Sequence, residues 1–243
     1  MPEIPAGRLC ESGRMIDDTD DIDDAEDNGD GRRADGTAGF LTVLRARRLL
    51  AIVRGRDPEA SFRTVMALVE SGVPLVEVSL SGADALGVLR RARGELGPDA
   101  WLGAGTVVTE ADARRAADAG ANLIVTPGLG PGVATAIGLG LPVLAGVLTP
   151  TEVIAAAGAG ATALKVFPAS AAGGPDYLKA LRGPFPDLPF VPVGGVDADA
   201  AQAYLDLGAV AVGVGSPLVG DAADGGDLDA LRRRAERFVE VCG

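Results

Sequence analysis

The 243-residue chain is 47% hydrophobic but only 4% aromatic, so its core must be built from Val, Leu, Ile and Ala. It carries a net charge of −12 and no histidine, which excludes Ser-His-Asp and Cys-His catalysis and His-ligated zinc, and leaves no basic field for nucleic acid. Lysine is almost absent too: among 22 basic residues only Lys165 and Lys179 are lysines.

Residues 1–38 read as a disordered acidic tail. Residues 1–40 hold nine Asp and three Glu against four Arg, a net of −8, and the rest of the chain carries −4. A run such as Asp17-Asp18-Thr19-Asp20-Asp21 repels itself and has little to bury. Residues 39–243 read as one domain. Strands are predicted at Leu49–Val53, Leu75–Leu80, Trp101–Gly105, Asn122–Thr126, Pro142–Ala145, Ala163–Phe167, Phe190–Val193 and Ala211–Val214. Helical patterns lie between them at Pro58–Ser71, Ala83–Leu96, Glu110–Ala119, Thr151–Ala157 and Ala198–Leu207, with a closing helix at about Leu228–Val241. Several open on good capping residues: Asp57-Pro58, Thr109, Thr149-Pro150 and Asp197. Apolar strands without alternation, separated by helices, imply a parallel sheet. Eight such units in about 200 residues favour a closed (β/α)8 TIM barrel over an open doubly wound sheet, and the first strand is not followed by a G-x-G-x-x-G fingerprint. Cys10 and Cys242 stand near two expected loose ends without metal-ligand spacing, so no disulfide and a reducing compartment are expected. With no secretory leader and no long apolar run, the expected location is the cytoplasm, without a membrane.

In a barrel the chemistry gathers at the C-terminal ends of the strands. There stand Arg54-Gly55 after the first strand, then Glu77, Ser79 and Ser81 on and after the second. Gly105-Thr106 follows the third, Thr126-Pro127-Gly128 the fourth, and Lys165, Phe167 and Pro168 the sixth. Neighbours in a strand face opposite ways. In Leu164-Lys165-Val166 and in Val76-Glu77-Val78 the apolar residues therefore face the helices, and Lys165 and Glu77 point into the barrel. Apolar surroundings disfavour the charged form of an amine, and a neutral amine attacks a ketone to form an imine. Glu77 is placed to move protons. The alternative is an inert buried Lys165–Glu77 ion pair. Lys179, in a helical pattern, reads as a solvated surface lysine. Val193-Gly194-Gly195 and Gly213-Val214-Gly215-Ser216 follow the last two strands, where barrels bind phosphate through backbone N–H groups, with tight turns as the alternative.

These motifs resemble the bacterial 2-keto-3-deoxy-6-phosphogluconate and -galactonate aldolases, the KDPG/KHG aldolase family. The resemblance runs from Leu49 to about Gly220 and is carried by Val76-Glu77-Val78, Gly103-Ala104-Gly105-Thr106-Val107, Val125-Thr126-Pro127-Gly128, Ala163-Leu164-Lys165-Val166-Phe167-Pro168-Ala169, Val193-Gly194-Gly195-Val196 and Gly213-Val214-Gly215-Ser216. It implies class I retro-aldol cleavage of a phosphorylated 2-keto-3-deoxy sugar acid to pyruvate and glyceraldehyde 3-phosphate, with no metal or other cofactor, by a homotrimer. It assigns Lys165 to the Schiff base and Glu77 to acid/base catalysis. Thr106, Pro127 and Phe167 match the pyruvate pocket, and Gly194, Gly195, Gly215 and Ser216 the phosphate site. Gluconate-type members carry an Arg four residues after the catalytic Glu, and this chain has Ser81. Arg54-Gly55, Ser81 and Val193 together are closer to the galactonate type, and Arg54 is expected to bind the pyruvate carboxylate, unless it serves as a rim ion-pair residue. The competing readings are cleavage of 4-hydroxy-2-oxoglutarate, a metal-dependent aldolase, a phosphosugar isomerase or synthase, and a non-catalytic phosphate-binding barrel.

Overall fold

The computed structural model describes residues 29–243, with side chains from residue 36 onward. Eight strands alternate with helices: β1 (Leu49–Val53), β2 (Leu75–Ser79), β3 (Trp101–Gly105), β4 (Leu123–Val125), β5 (Val143–Val147), β6 (Ala163–Val166), β7 (Phe190–Pro192) and β8 (Val212–Val214). All paired strands are parallel, in the order β7-β6-β5-β4-β3-β2-β1-β8. Among the described residues β7 and β8 meet through one bridge, Val193 to Gly213, and Val210 N–H donates to the Phe190 carbonyl at 3.0 Å. The expected barrel is present, nearly closed, with a loose seam between its last two strands.

The helices are α1 (Gly29–Arg47), α2 (Pro58–Glu70), α3 (Ala85–Leu96), α4 (Glu110–Asp118), α5 (Pro131–Gly138), α6 (Pro150–Gly158), α7 (Gly174–Arg182), α8 (Ala198–Asp206), α9 (Ser216–Val219) and α10 (Leu228–Cys242). Their starts follow the capping chemistry in the sequence. Asp57 accepts from the N–H groups of Glu59 and Ala60, with Pro58 in the first turn. Thr109–Asp112 opens α4 and Thr149–Glu152 opens α6 as reciprocal capping boxes.

Three features depart from the sequence reading. The expected tail boundary at residue 38 falls within α1, while residues 1–28 lie outside the described residues. Phe40 and Leu44, both fully buried, carry α1 across the N-terminal end of the barrel against an inner cluster that includes Leu50, Leu75, Leu123 and Val191. Cys242 is not on a loose end: it is buried in α10, and its burial pushes the thiol up to about 11. The third feature is α5, whose Gly- and Ala-rich sequence shows no strong amphipathic period.

The strand interiors divide by depth. Leu50, Leu75, Leu123, Leu144, Ala163, Val191 and Ala211 fill the N-terminal half with apolar side chains. One or two inward positions further along stand Glu77, Ser79 and Lys165. An apolar floor under a polar mouth confines water and charge to the C-terminal face, where a barrel places its site.

Candidate active site

Lys165 and Glu77 are both buried, at 6% and 1% exposure. The inward direction read from strand parity is observed. Ala163, two residues before Lys165, and Leu75, two before Glu77, belong to the inner cluster, whereas Leu164, Val166, Val76 and Val78 pack in the outer core against the helices. Glu77 fits because its pairing partners on β3 are small. It stands opposite Gly103, and a Cβ on Gly105 would lie 2.3 Å from Glu77 Oε1. A side chain larger than hydrogen at residue 105 would displace the carboxylate.

The inert ion-pair alternative does not hold, since among the described residues neither Lys165 nor Glu77 makes a direct ion pair, and Glu77 Oε2 is buried without a hydrogen-bond partner. Burial pushes the Glu77 carboxyl above its ordinary range, and the positive charges of Lys165 and Arg54 oppose this without overcoming it. A buried carboxyl free of structural partners and biased toward its neutral form is suited to giving and taking protons. Lys165 Nζ lies 5.1 Å from the centre of the Phe167 ring, and Phe167 is 38% exposed.

A second polar group joins the ends of β1, β2 and β3. The Ser79 hydroxyl, fully buried, lies 2.8 Å from Ser81 Oγ and 2.8 Å from Thr106 Oγ1, and Arg54 Nε–H donates to it at 3.3 Å. Thr106 adopts a left-handed backbone, φ 61. That conformation is costly for a β-branched residue, and strain of this kind is retained where a site requires it. Arg54 has no carboxylate partner among the described ion pairs, so the rim ion-pair alternative is not observed. The sequence named Arg54, Thr106 and Ser81 separately. It also named Ser79 at the end of the second strand but not as the residue that joins them, although inward parity two residues beyond Glu77 was a usable signal.

A cavity of about 270 Å3 opens at the β7–β8 seam, near the lower end of small-molecule pockets and too small for a dinucleotide. Its lining includes Arg54, Phe167, Gly194, Gly195, Gly215 and Ser216. Gly194 and Gly195 both have left-handed backbones, φ 101 and 73, a turn that lets successive N–H groups face one anion. Six of the ten predicted site residues therefore share this cavity. Lys165, Glu77, Thr106 and Pro127 are not part of its lining: Lys165 adjoins the lining residue Phe167, Thr106 is linked through Ser79 to the lining residue Arg54, Glu77 lies in the middle of β2, and Pro127 is exposed on the loop after β4. Lys179 is exposed, in keeping with a solvated surface lysine. Among the described residues no group of three or more His, Cys, Asp or Glu is arranged to hold a metal ion, and no helix is long and apolar enough to cross a membrane.

Comparisons with known proteins agree with this geometry. The profile of the family described as KDPG and KHG aldolase matches residues 41–233. The chain is 39% identical over 191 residues to a probable 2-dehydro-3-deoxy-6-phosphogalactonate aldolase of Rhizobium meliloti, covering 78% of this chain and 88% of that protein. It is 36% identical over 211 residues to the 2-dehydro-3-deoxy-phosphogluconate aldolase of Pseudomonas aeruginosa, covering 84% and 95%. Among solved structures it resembles the KDPG aldolase of Legionella pneumophila with pyruvate captured as a covalent carbinolamine, at TM-score 0.71 and 29% identity, covering 83% of this chain and 95% of that one. Barrel, inward Lys and Glu, and the match over most of the domain converge: the chain belongs to the KDPG and KHG aldolase family.

Proposed function

We propose that this protein is a class I aldolase that cleaves a 2-keto-3-deoxy-6-phospho sugar acid to pyruvate and glyceraldehyde 3-phosphate, with Lys165 forming the Schiff base. One observation carries the reading: among the described residues Lys165 and Glu77 are the buried charged side chains, and neither makes a direct ion pair. Nζ of Lys165 adds to the C2 ketone, and loss of water from the carbinolamine gives an iminium. As the C4 hydroxyl gives up its proton, the C3–C4 electron pair moves toward the iminium and leaves an enamine. A proton added at C3 and hydrolysis then release pyruvate. Glu77, with Oε2 unpartnered, is the group that carries these protons, directly or through a water.

The other predicted residues divide between the two ends of the substrate. Arg54 holds the carboxylate, with Thr106 and Pro127 shaping the keto-acid end and Phe167 walling the iminium from solvent. The amides of Gly194, Gly195 and Gly215 and the Ser216 hydroxyl receive the phosphate at the seam. Arg54, Ser81 and Val193 favour the galactonate configuration. By this reading the enzyme works in the cytoplasm as a homotrimer, without cofactor and without nucleic-acid or membrane partners.

Pyruvate release from the two C4 epimers of the phosphorylated acid, and from 4-hydroxy-2-oxoglutarate, tests the reading. The expected result is release that persists in EDTA, is fastest with the galactonate epimer, and is weaker with 4-hydroxy-2-oxoglutarate, which has no phosphate. Arg54→Ala should raise the pyruvate concentration needed for half-saturation about tenfold, the effect of losing a hydrogen bond to a charged group. Loss of activity in EDTA would exclude the Schiff-base route, and unchanged pyruvate affinity in Arg54→Ala would remove the carboxylate role.

A further inference from the structure

Hydrogen-bond accounting at Ser79 leads one step further. A serine hydroxyl has one proton to donate and two lone pairs. Arg54 Nε–H can only donate, so it occupies one lone pair of Ser79 Oγ. The two remaining contacts, to Ser81 and Thr106 at 2.8 Å each, must then be one accepted and one donated. Ser79 is saturated and the three hydroxyls form a directed chain. Whichever outer hydroxyl accepts from Ser79 keeps its own proton for a partner beyond the chain. Ser81 is exposed on the rim, where water can satisfy it, while Thr106 is half-buried and held in its left-handed backbone at the end of β3. The direction that sends a proton inward runs from Ser81 to Ser79 to Thr106. An anion beside Arg54 accepts only, so it is complementary to the Thr106 proton that this direction leaves free.

We propose that Ser79 is the positioning residue for carboxylate recognition: it locks the Arg54 guanidinium and orients the Thr106 hydroxyl proton, so that both donate to the carboxylate of the keto acid. The inference rests on the aldolase reading and specifies how its keto-acid end is recognised. Ser79 itself does not touch the substrate. Its removal changes how tightly a carboxylate is bound and leaves the chemistry at Lys165 intact.

The test is reductive trapping with borohydride on the full chain, titrated with pyruvate and with pyruvamide, which keeps the ketone and lacks the negative charge. Ser79→Ala should raise half-saturating pyruvate about tenfold, with the maximal trapping rate and the pyruvamide titration unchanged. Ser79→Thr, which retains a hydroxyl, should restore wild-type behaviour. Should the alanine variant fold poorly, the isosteric pair Ser79→Thr and Ser79→Val carries the same comparison, and only valine should lose pyruvate affinity. Unchanged pyruvate half-saturation, an equal loss for pyruvate and pyruvamide, or identical threonine and valine variants would each overturn the role of Ser79 while leaving the aldolase standing. Absence of any trapped adduct in the wild-type protein would overturn the aldolase reading and this inference with it.

Discussion

Glu77 is held in the barrel at a cost to the unliganded protein. Burial raises its carboxyl pKa above the ordinary 4.5, and Lys165 and Arg54 only partly offset this. The sign follows from linkage: a group whose pKa is raised on folding contributes stability that is fully present below its unfolded value and is lost as pH rises through its folded value. Glu77→Gln removes the charge that cannot be solvated. On the alkaline side of that window its Tm should therefore exceed the wild-type value by about 2–4 °C, the shift of roughly 1 kcal/mol in a domain this size, and the two should converge in acid. Turnover should fall about a hundredfold or more, the lower range for loss of a general acid/base. Tm against pH and kcat on the same variant check both; a variant no more stable than wild type at any pH would show that the carboxylate is not strained there. At this scale the sequence was legible wherever direction depends on strand parity, as with Lys165 and Glu77. It was silent where the effect depends on atoms from three strands meeting, as at Ser79, and where a glycine makes room for a distant side chain, as Gly105 does for Glu77.

At the scale of elements, α4 is defined by its N-terminus. Asp112 accepts from the backbone N–H groups of Thr109 and Val108, and Arg115 donates to it at 2.7 Å. The Thr109 backbone bond, the largest influence, and these other contacts lower its pKa to about 2. A carboxyl lowered in this way stabilises the fold above its unfolded pKa, and that contribution fades as pH falls from about 4 toward about 2. Asp112→Ala should cost about 1 kcal/mol, typical of losing a capping contact, as measured by urea unfolding at neutral pH, and the difference from wild type should shrink in acid. A neutral-pH midpoint equal to that of wild type would show that the cap contributes nothing. Helices with such caps were readable. Pro131–Gly138 was not, because Gly and Ala carry almost no period. Neither was the helix before β1, because the acidic, Gly-containing stretch that leads into Phe40 and Leu44 looks like tail, and its anchoring residues have value only against the barrel floor.

For the whole molecule, the division of the barrel into an apolar floor and a polar mouth separates stability from chemistry. Phe40 is fully buried on that floor and packs its ring 5.3 Å from Trp101, tilted by 57°. Phe40→Ala should destabilise by about 3–5 kcal/mol, the cost of emptying an aromatic core position. Calorimetry should show a Tm drop of roughly 10 °C, with pyruvate half-saturation unchanged below the transition. A shift in pyruvate affinity at constant folded fraction would show that floor and mouth are coupled. The same division explains why the fold was legible as a whole. Eight apolar runs with turn residues between them specify a barrel almost without regard to detail, whereas the seam between β7 and β8 depends on which two strands pair least.

The central claim is that Lys165 forms a covalent imine with a 2-keto acid. The most direct measurement treats the full chain with pyruvate and sodium borohydride, digests it and maps the reduced adduct by mass spectrometry. The account predicts a single stable adduct on Lys165 that is absent from Lys165→Arg and forms equally well in EDTA. No adduct, or an adduct confined to the exposed Lys179, would contradict it.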